Sequence, residues 1–344
     1  MLLDLGYRLA RPLLFSLDAE TAHERVLHLA GAVPAVAEAV AGPAPRHAGL
    51  EREVAGLRVP NPIGLAAGLD KDAHCIGLWP RLGFGFLELG TVTPQPQAGN
   101  PRPRVWRLVD QRGVINRMGF PSAGLAVVQR RLRTQRERGW PTAPVGANLG
   151  KNKVTSAEAA WQDYATLADG LAPLVDFFTV NLSSPNTPGL RALQKAEPMK
   201  RILGAVLERA AGLPVFLKLS PDLDDADLEA SLQTALAIGV SGIVATNTTV
   251  SRPGRTGDAG HPGGLSGGPL WPLASSRVKR VLDLVEGAVP VVGVGGISSA
   301  DQVGELLDAG CAAVQLFTGF IFGGPGLPRR INATLAQRTT QIQR

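Results

Sequence analysis

The chain has 344 residues, 44% of them hydrophobic and 19% charged, and carries a formal net charge of +6. That length and apolar share can bury a large core and exceed the usual single-domain size, so one barrel with an appendage fits as well as two domains. Glycine and proline are spread as punctuation rather than massed, no apolar run reaches the ~18 residues of a membrane-crossing helix, and no zinc spacing or nucleic-acid motif accompanies the charge.

At the N-terminus, Leu13, Leu14, Phe15 and Leu17 follow Pro12 as an apolar cluster. Asp18 then suits the N-cap of a helix in which Ala22, Val26, Leu29, Ala30 and Val33 share one face. Residues 1–45 are expected to form a helical extension, and residues 46–344 a barrel. The extension either lies flat on the barrel as a lid or leaves an apolar face open to a membrane interface or a greasy ligand. The N-terminus lacks the basic-then-apolar layout of a secretory signal, so the chain is expected to stay in the cytoplasm. Cys75 and Cys311 lack metal or redox spacing and read as reduced core thiols, and no metal is expected.

Eight β-rich runs follow: Ile63–Ala67, Gly85–Leu89, Val145–Leu149, Phe177–Leu182, Val215–Leu219, Ile243–Thr246, Val289–Val294 and Ala313–Phe317. Most are short and continuously apolar, as strands covered on both faces should be. Segments of helical spacing alternate with them, including 157–171, 199–211, 228–238, 275–285 and 300–307. Eight such alternations predict a parallel (β/α)8 TIM barrel; a doubly wound open sheet is the runner-up, without its G-x-G-x-x-G opening. Residues 91–143 interrupt the repeat after the second strand. In this insert, 105–109 and 114–115 flank Asp110-Gln111-Arg112-Gly113, the pattern of a β-hairpin. The basic charge concentrates here, from Arg102 to Arg138, and suits an anionic surface or substrate or a solvated face.

Barrel enzymes build their sites at the carboxyl ends of the strands. Those ends carry Ala66–Asp72, Thr91, Asn148, the Asn181–Leu190 loop, Lys218, Thr246-Asn247-Thr248, Gly295-Gly296 and Thr318-Gly319. Lysine is almost never buried alone, so Lys71 and Lys218 imply an anionic ligand or adjacent carboxylates, with Asp70 or Asp72 as the ordinary partner of Lys71. Glycines at 293–296 and at 319 leave backbone N–H groups bare in the manner of a barrel phosphate site, and Gly263–Gly268 offers a third cradle. Pro185 and Pro188 would stiffen the loop that carries Ser183, Ser184 and Asn186.

The strings 65–72, Asn116-Arg117-Met118-Gly119-Phe120, 181–190, 245–249 and 293–297 resemble those of the dihydroorotate dehydrogenases, and more narrowly of the class 2, quinone-dependent members. The likeness runs nearly end to end, and Ser184 together with the extension separates it from class 1, which has cysteine at that position. The resemblance implies one FMN per chain and oxidation of (S)-dihydroorotate to orotate, with a membrane quinone as final acceptor. It implies FMN contacts at Ala67, Gly68, Leu69, Asp70, Lys71, Thr91, Asn148, Asn181, Lys218, Thr246, Gly267, Gly296, Phe317 and Thr318. It implies substrate contacts at Lys71, Asn116, Arg117, Met118, Gly119, Phe120, Asn181, Asn186, Asn247 and Thr248, with Ser184 as the base; a serine is a weak base, so it would need relay to water or a hydroxyl such as Thr187. His23 and Arg107 would stand near a quinone tunnel under the extension, with peripheral attachment to the cytoplasmic face of the membrane. Phe317 departs from the tyrosine common at that place.

Overall fold

The computed structural model of the chain describes residues 2–187, 189–252 and 260–342; Pro188, expected to stiffen its loop, lies outside them. Three helices come first, α1 (Leu2–Ser16), α2 (Ala19–Ala32) and α3 (Pro34–Ala41). Asp18 caps α2 by accepting from the N–H of Thr21 at 2.9 Å. Pro12 lies inside α1, and no compact cluster follows it: Leu13 is 68% exposed, whereas Leu14 and Phe15 face a cavity. The apolar stripe of α2 is also only partly covered, with Ala22 buried and Leu29 69% exposed. The stripe exists, but it runs past the surface beneath it.

A tight antiparallel hairpin follows, β1 (Arg52–Val54) and β2 (Leu57–Val59), turning through Ala55 and Gly56 at positive φ. The chain then alternates: β3 (Ile63–Leu65), α4 (Leu78–Arg81) and β4 (Phe86–Val92), with the insert pair β5 (Val105–Leu108) and β6 (Gly113–Asn116), and α5 (Leu125–Arg138). It continues with β7 (Val145–Leu149), α6 (Ala160–Leu171), β8 (Phe177–Asn181), α7 (Ala196–Arg209), β9 (Val215–Leu219), α8 (Asp225–Ile238) and β10 (Gly242–Ala245). The last part is β11 (Gly264–Gly267), α9 (Trp271–Val285), β12 (Val291–Val294), α10 (Ala300–Asp308), β13 (Ala313–Leu316), α11 (Thr318–Gly323) and α12 (Leu327–Ile342).

Strands β3, β4, β7, β8, β9, β10, β12 and β13 close in that order into one parallel barrel, and each holds a run expected from the sequence. Residues of these strands are buried throughout, because side chains fill the inside and helices cover the outside. Phe86, Phe177 and Phe216 close the amino-terminal end of the barrel, with successive ring centroids 6.4 and 5.7 Å apart. Valines 54 and 59 of the β1–β2 hairpin pack into the same cluster. That end is sealed by hydrocarbon, so any chemistry belongs at the other.

The glycine string 263–268 is not a loop cradle. Its core is β11, which pairs antiparallel with β6 and turns the expected hairpin into a three-stranded sheet. The reason is close approach: a Cβ on Gly264 would stand 1.9 Å from Thr248 Oγ1. Of its glycines only Gly267 reaches the cavity described next.

Candidate active site

A cavity of about 540 Å³ lies at the carboxyl ends of the barrel strands and extends beneath the N-terminal helices. Its barrel half is lined by Ala67, Gly68, Leu69, Lys71, Thr91, Asn181, Ser184, Asn186, Lys218, Thr246, Asn247, Thr248, Gly296, Phe317 and Thr318, with Asn116, Met118, Gly119 and Phe120 from the insert. Its other half is lined by Leu3, Tyr7, Leu14, Phe15, Val26, Ala30 and Val40 of α1–α3. His23 and Arg107 line it as well.

The floor is a connected set of amides. Asn148 accepts from Thr91 Oγ1 at 2.6 Å and from Asn181 Nδ2 at 3.1 Å, while its own Nδ2 donates to Glu88 at 2.6 Å. Asn247 donates to Ser183 Oγ at 2.9 Å, and Asn186 donates to Asn116 Oδ1 at 3.0 Å, bridging the β8 loop to the insert. Asn100 reinforces this bridge by donating to the carbonyls of Arg117 and Asn186 at 2.8 and 3.0 Å. Each amide is held by another polar group, so the donors and acceptors facing the cavity are fixed before any ligand arrives.

Lys218 is 5% exposed, and its Nζ lies 3.6 Å from Glu88 Oε1. Lys71 behaves differently. Among the described residues it makes no ion pair with Asp70 or Asp72, and burial holds its ammonium below the ordinary lysine range, opposed chiefly by the charge of Asp72. A lysine without a directly paired carboxylate at the lip of a polar cavity is a point charge available to an anion. Ser184 is buried, and its Oγ accepts from the N–H of Asn186 at 3.3 Å. Thr187 is also buried, and among the described residues its hydroxyl has no hydrogen-bond partner. The segment beyond Ser184 is anchored by Arg191, which donates to the Ser183 carbonyl at 3.3 Å and to Asp222 at 2.8 Å.

At the phosphate-like end, Gly296 has φ +75° and a Cβ there would stand 2.6 Å from the backbone N of Trp271. Gly267 has φ +83°, and its Cβ would meet the Arg112 carbonyl at 2.3 Å. The two positions require glycine, and together with Thr318, whose hydroxyl lies 2.8 Å from that of Ser266, they leave bare backbone and hydroxyls at the cavity edge.

Three of the expected site residues sit elsewhere. Asp70 is fully buried, and its carboxylate accepts from His74 N, Cys75 N and Trp79 Nε1 at 2.7, 2.9 and 2.9 Å, so it braces the β3 loop rather than facing a ligand. Asn148 stands behind the cavity surface, one hydrogen bond removed. Arg117 does not line the cavity, and among the described residues its buried Nε has no hydrogen-bond partner. Glu88, Gln315 and Asn100 escaped the sequence reading. The signal for Glu88 was present: a lone acid in the apolar run Phe86-Leu87-Glu88-Leu89 is as anomalous as Lys218 among its leucines.

His23 occupies the wall between the apolar half of this cavity and a second, polar cavity of about 750 Å³ that also holds Glu24, His28 and His74. Burial, with the nearby Lys71 cation second, pushes the imidazole down from 6.5 to about 3, so it is neutral at physiological pH. Arg107 donates to the carbonyls of Leu17 and Leu14 at 2.8 and 3.3 Å and lies over the Phe15 ring at 4.8 Å. A deeper strap is Arg104, whose Nε donates to Glu20 at 2.9 and 3.1 Å.

The fold and site define a (β/α)8 barrel with a preorganised polar pocket that continues into an apolar helical vestibule. A sequence profile described as dihydroorotate dehydrogenase matches residues 49–339. A dihydroorotate dehydrogenase (quinone) of Myxococcus xanthus is 46% identical over 339 residues, covering 96% of this chain and 93% of that one. One of Novosphingobium aromaticivorans is 44% identical, covering 97% and 95%. Among solved structures, DHODH of Eimeria tenella in complex with ferulenol aligns at TM-score 0.86 and 32% identity, covering 96% of this chain and 95% of that one. The chain belongs to the dihydroorotate dehydrogenase family.

Proposed function

We propose that this chain oxidises (S)-dihydroorotate to orotate, a step of pyrimidine biosynthesis, with FMN as cofactor and a membrane quinone as final acceptor. The observation that carries this reading is that Lys71, Ser184, Lys218 and the asparagines converge on one cavity whose far wall is hydrocarbon from α1–α3. Residues 46–344 would hold the cofactor and substrate, and residues 1–45 the quinone approach.

The residues present fit FMN. Gly267, Gly296 and Thr318 offer a glycine-lined edge for a phosphate, where larger side chains cannot stand. When bound, FMN supplies a two-electron acceptor for hydride. Lys218 would stabilise negative charge at the ring, and Thr91 and Asn181, braced from behind by Asn148, would orient it.

The pyrimidine ring of the substrate carries amide edges, which asparagine side chains can match with both donors and acceptors. Asn116, Asn186 and Asn247 would hold them, and Lys71 with the backbone of 117–120 would receive the carboxylate. Oxidation removes a proton from one ring carbon and a hydride from the next. Ser184 would take the proton at Oγ and pass it on to water. A serine hydroxyl is a weak base, so positioning supplies much of the rate.

No helix of the described residues is long and apolar enough to cross a membrane. Leu5, Leu9 and Leu13, spaced four apart on α1, are all exposed, as are Leu29, Val36 and Val40. This apolar surface supports peripheral attachment to the cytoplasmic face of the membrane, with His23 and Arg107 beside the quinone path. The deciding measurement is the absorption spectrum of the purified protein before and after dihydroorotate. Flavin absorption that bleaches on addition is expected; a colourless protein, or a flavin that stays oxidised, would refute the reading.

A further inference from the structure

Glu88 is fully buried on β4, between the cavity floor and the phenylalanine plug. Three groups converge on its carboxylate: Asn148 Nδ2 at 2.6 Å, Gln315 Nε2 at 2.5 Å and Lys218 Nζ at 3.6 Å. Lys218 and Gln315 also line the cavity, so Glu88 reaches it only through its neighbours. Hydrocarbon lies behind the carboxylate, in the side chains of Val54, Val59, Phe86, Phe177 and Phe216. Hydrocarbon screens far less than water, so a charge in such a place acts on what lies above it more strongly than one at the surface.

A carboxylate can only accept. Asn148 must therefore present its NH₂ to Glu88 and its carbonyl to Thr91 and Asn181. Asn181 must then turn its own NH₂ toward Asn148, leaving its carbonyl for Ser183 Oγ and Asn247 Nδ2, at 3.0 and 3.4 Å. One acceptor at the base thus sets the orientation of successive amides up to the substrate side. Its charge simultaneously offsets that of Lys218.

We propose that Glu88 is a positioning residue for this site: it fixes the polarity of the amide floor and limits the positive potential that Lys218 imposes on the flavin ring. The inference rests on the FMN reading above. It requires no direct contact between Glu88 and either ligand.

Two variants separate the parts. Glu88→Gln keeps the shape but removes the charge and introduces a donor facing Asn148. Glu88→Asp keeps the charge but withdraws the oxygens by one methylene. The purified holoproteins are titrated with sulfite, whose sulfur lone pair adds to an oxidised flavin and leaves negative charge on the ring; its affinity therefore follows the local positive potential. The apoproteins are titrated with FMN by fluorescence. Sulfite is expected to bind Glu88→Gln about tenfold more tightly than wild type, from the unopposed Lys218 charge. Glu88→Asp is expected to keep wild-type sulfite affinity within about twofold and to bind FMN about tenfold more weakly, as a displaced hydrogen-bond anchor would.

Wild-type sulfite affinity in Glu88→Gln would overturn the electrostatic part, and wild-type FMN affinity in Glu88→Asp the orienting part. Should Glu88→Gln fail to fold, Glu88→Asp still decides: unchanged FMN affinity there rejects the orienting part, and sulfite affinity raised about tenfold there, with the charge kept, rejects the electrostatic part. A wild-type protein that takes up no FMN would instead reject the underlying functional reading.

Discussion

The two ends of the cavity are built on opposite plans. At the barrel end almost every group is polar and is held by another polar group, from Glu88 through Asn148 and Asn181 to Asn247. At the helical end the lining is mostly leucine, valine, alanine and phenylalanine, with Tyr7, Glu20 and His23 among them, and the same helices carry an exposed apolar stripe outside. The difference matches two reactants of different solubility: a charged pyrimidine needs fixed dipoles, while a lipid-soluble acceptor needs only a hydrocarbon path. Hydrogen-bond geometry is rigid and belongs on strands; apolar contact is undirected and tolerates helices laid over the barrel. Arg104 and Arg107 fasten the second region to the first.

The sharpest way to break this contrast is at the barrel end alone. Ser184→Ala is expected to slow bleaching of the flavin by dihydroorotate by roughly 10²–10⁴-fold while flavin remains bound, read by stopped flow. Bleaching at the wild-type rate would remove Ser184 from its proposed role.

Next in size is the fastening. Arg104 and Glu20 are 5% and 3% exposed, so Arg104→Ala leaves the buried carboxylate with Arg102 alone, at 3.3 Å, and is expected to cost about 1.5–3 kcal/mol in denaturant unfolding. It should also depress quinone turnover more than flavin bleaching; equal loss of both would show that the two regions are not functionally separate.

The helical end is tested by Leu9→Asp with Leu13→Asp. The pair should lower partition onto phospholipid vesicles by at least about tenfold in co-sedimentation and leave flavin bleaching untouched.

A pH-dependent effect, absent at neutral pH, lies at the boundary. The folded imidazole of His23 titrates near 3 against 6.5 when unfolded, so the unfolded chain binds the extra proton between those values. Stability should be unaffected by this group above pH 6.5 and fall below it, by about 1.4 kcal/mol per pH unit, until about pH 3. His23→Gln should remove that slope from a pH series of unfolding curves.

The barrel strands were legible because a strand covered on both faces must be continuously apolar, which few other local structures require. Ser184, Lys71, Lys218 and the asparagines were legible because polar residues at the ends of such runs have a restricted set of uses. Glycine was ambiguous: the string 263–268 serves strand pairing as much as a cradle, and composition cannot tell close approach to another strand from close approach to a ligand. Asp70 misled for a similar reason, since its neighbours in sequence face the cavity while its own carboxylate turns back to three donors.

By itself, then, the sequence determined the eight-strand alternation, the appended helices and the chemical types at the strand ends, because periodicity and polarity are local properties of the chain. Only the tertiary structure decided which of those groups meet. Glu88, Asn148, Lys218 and Gln315 come from four different strands, and their pairing is a consequence of barrel closure. The partial covering of the α2 stripe was likewise settled by what lies beneath it, a matter of packing between segments far apart in the chain.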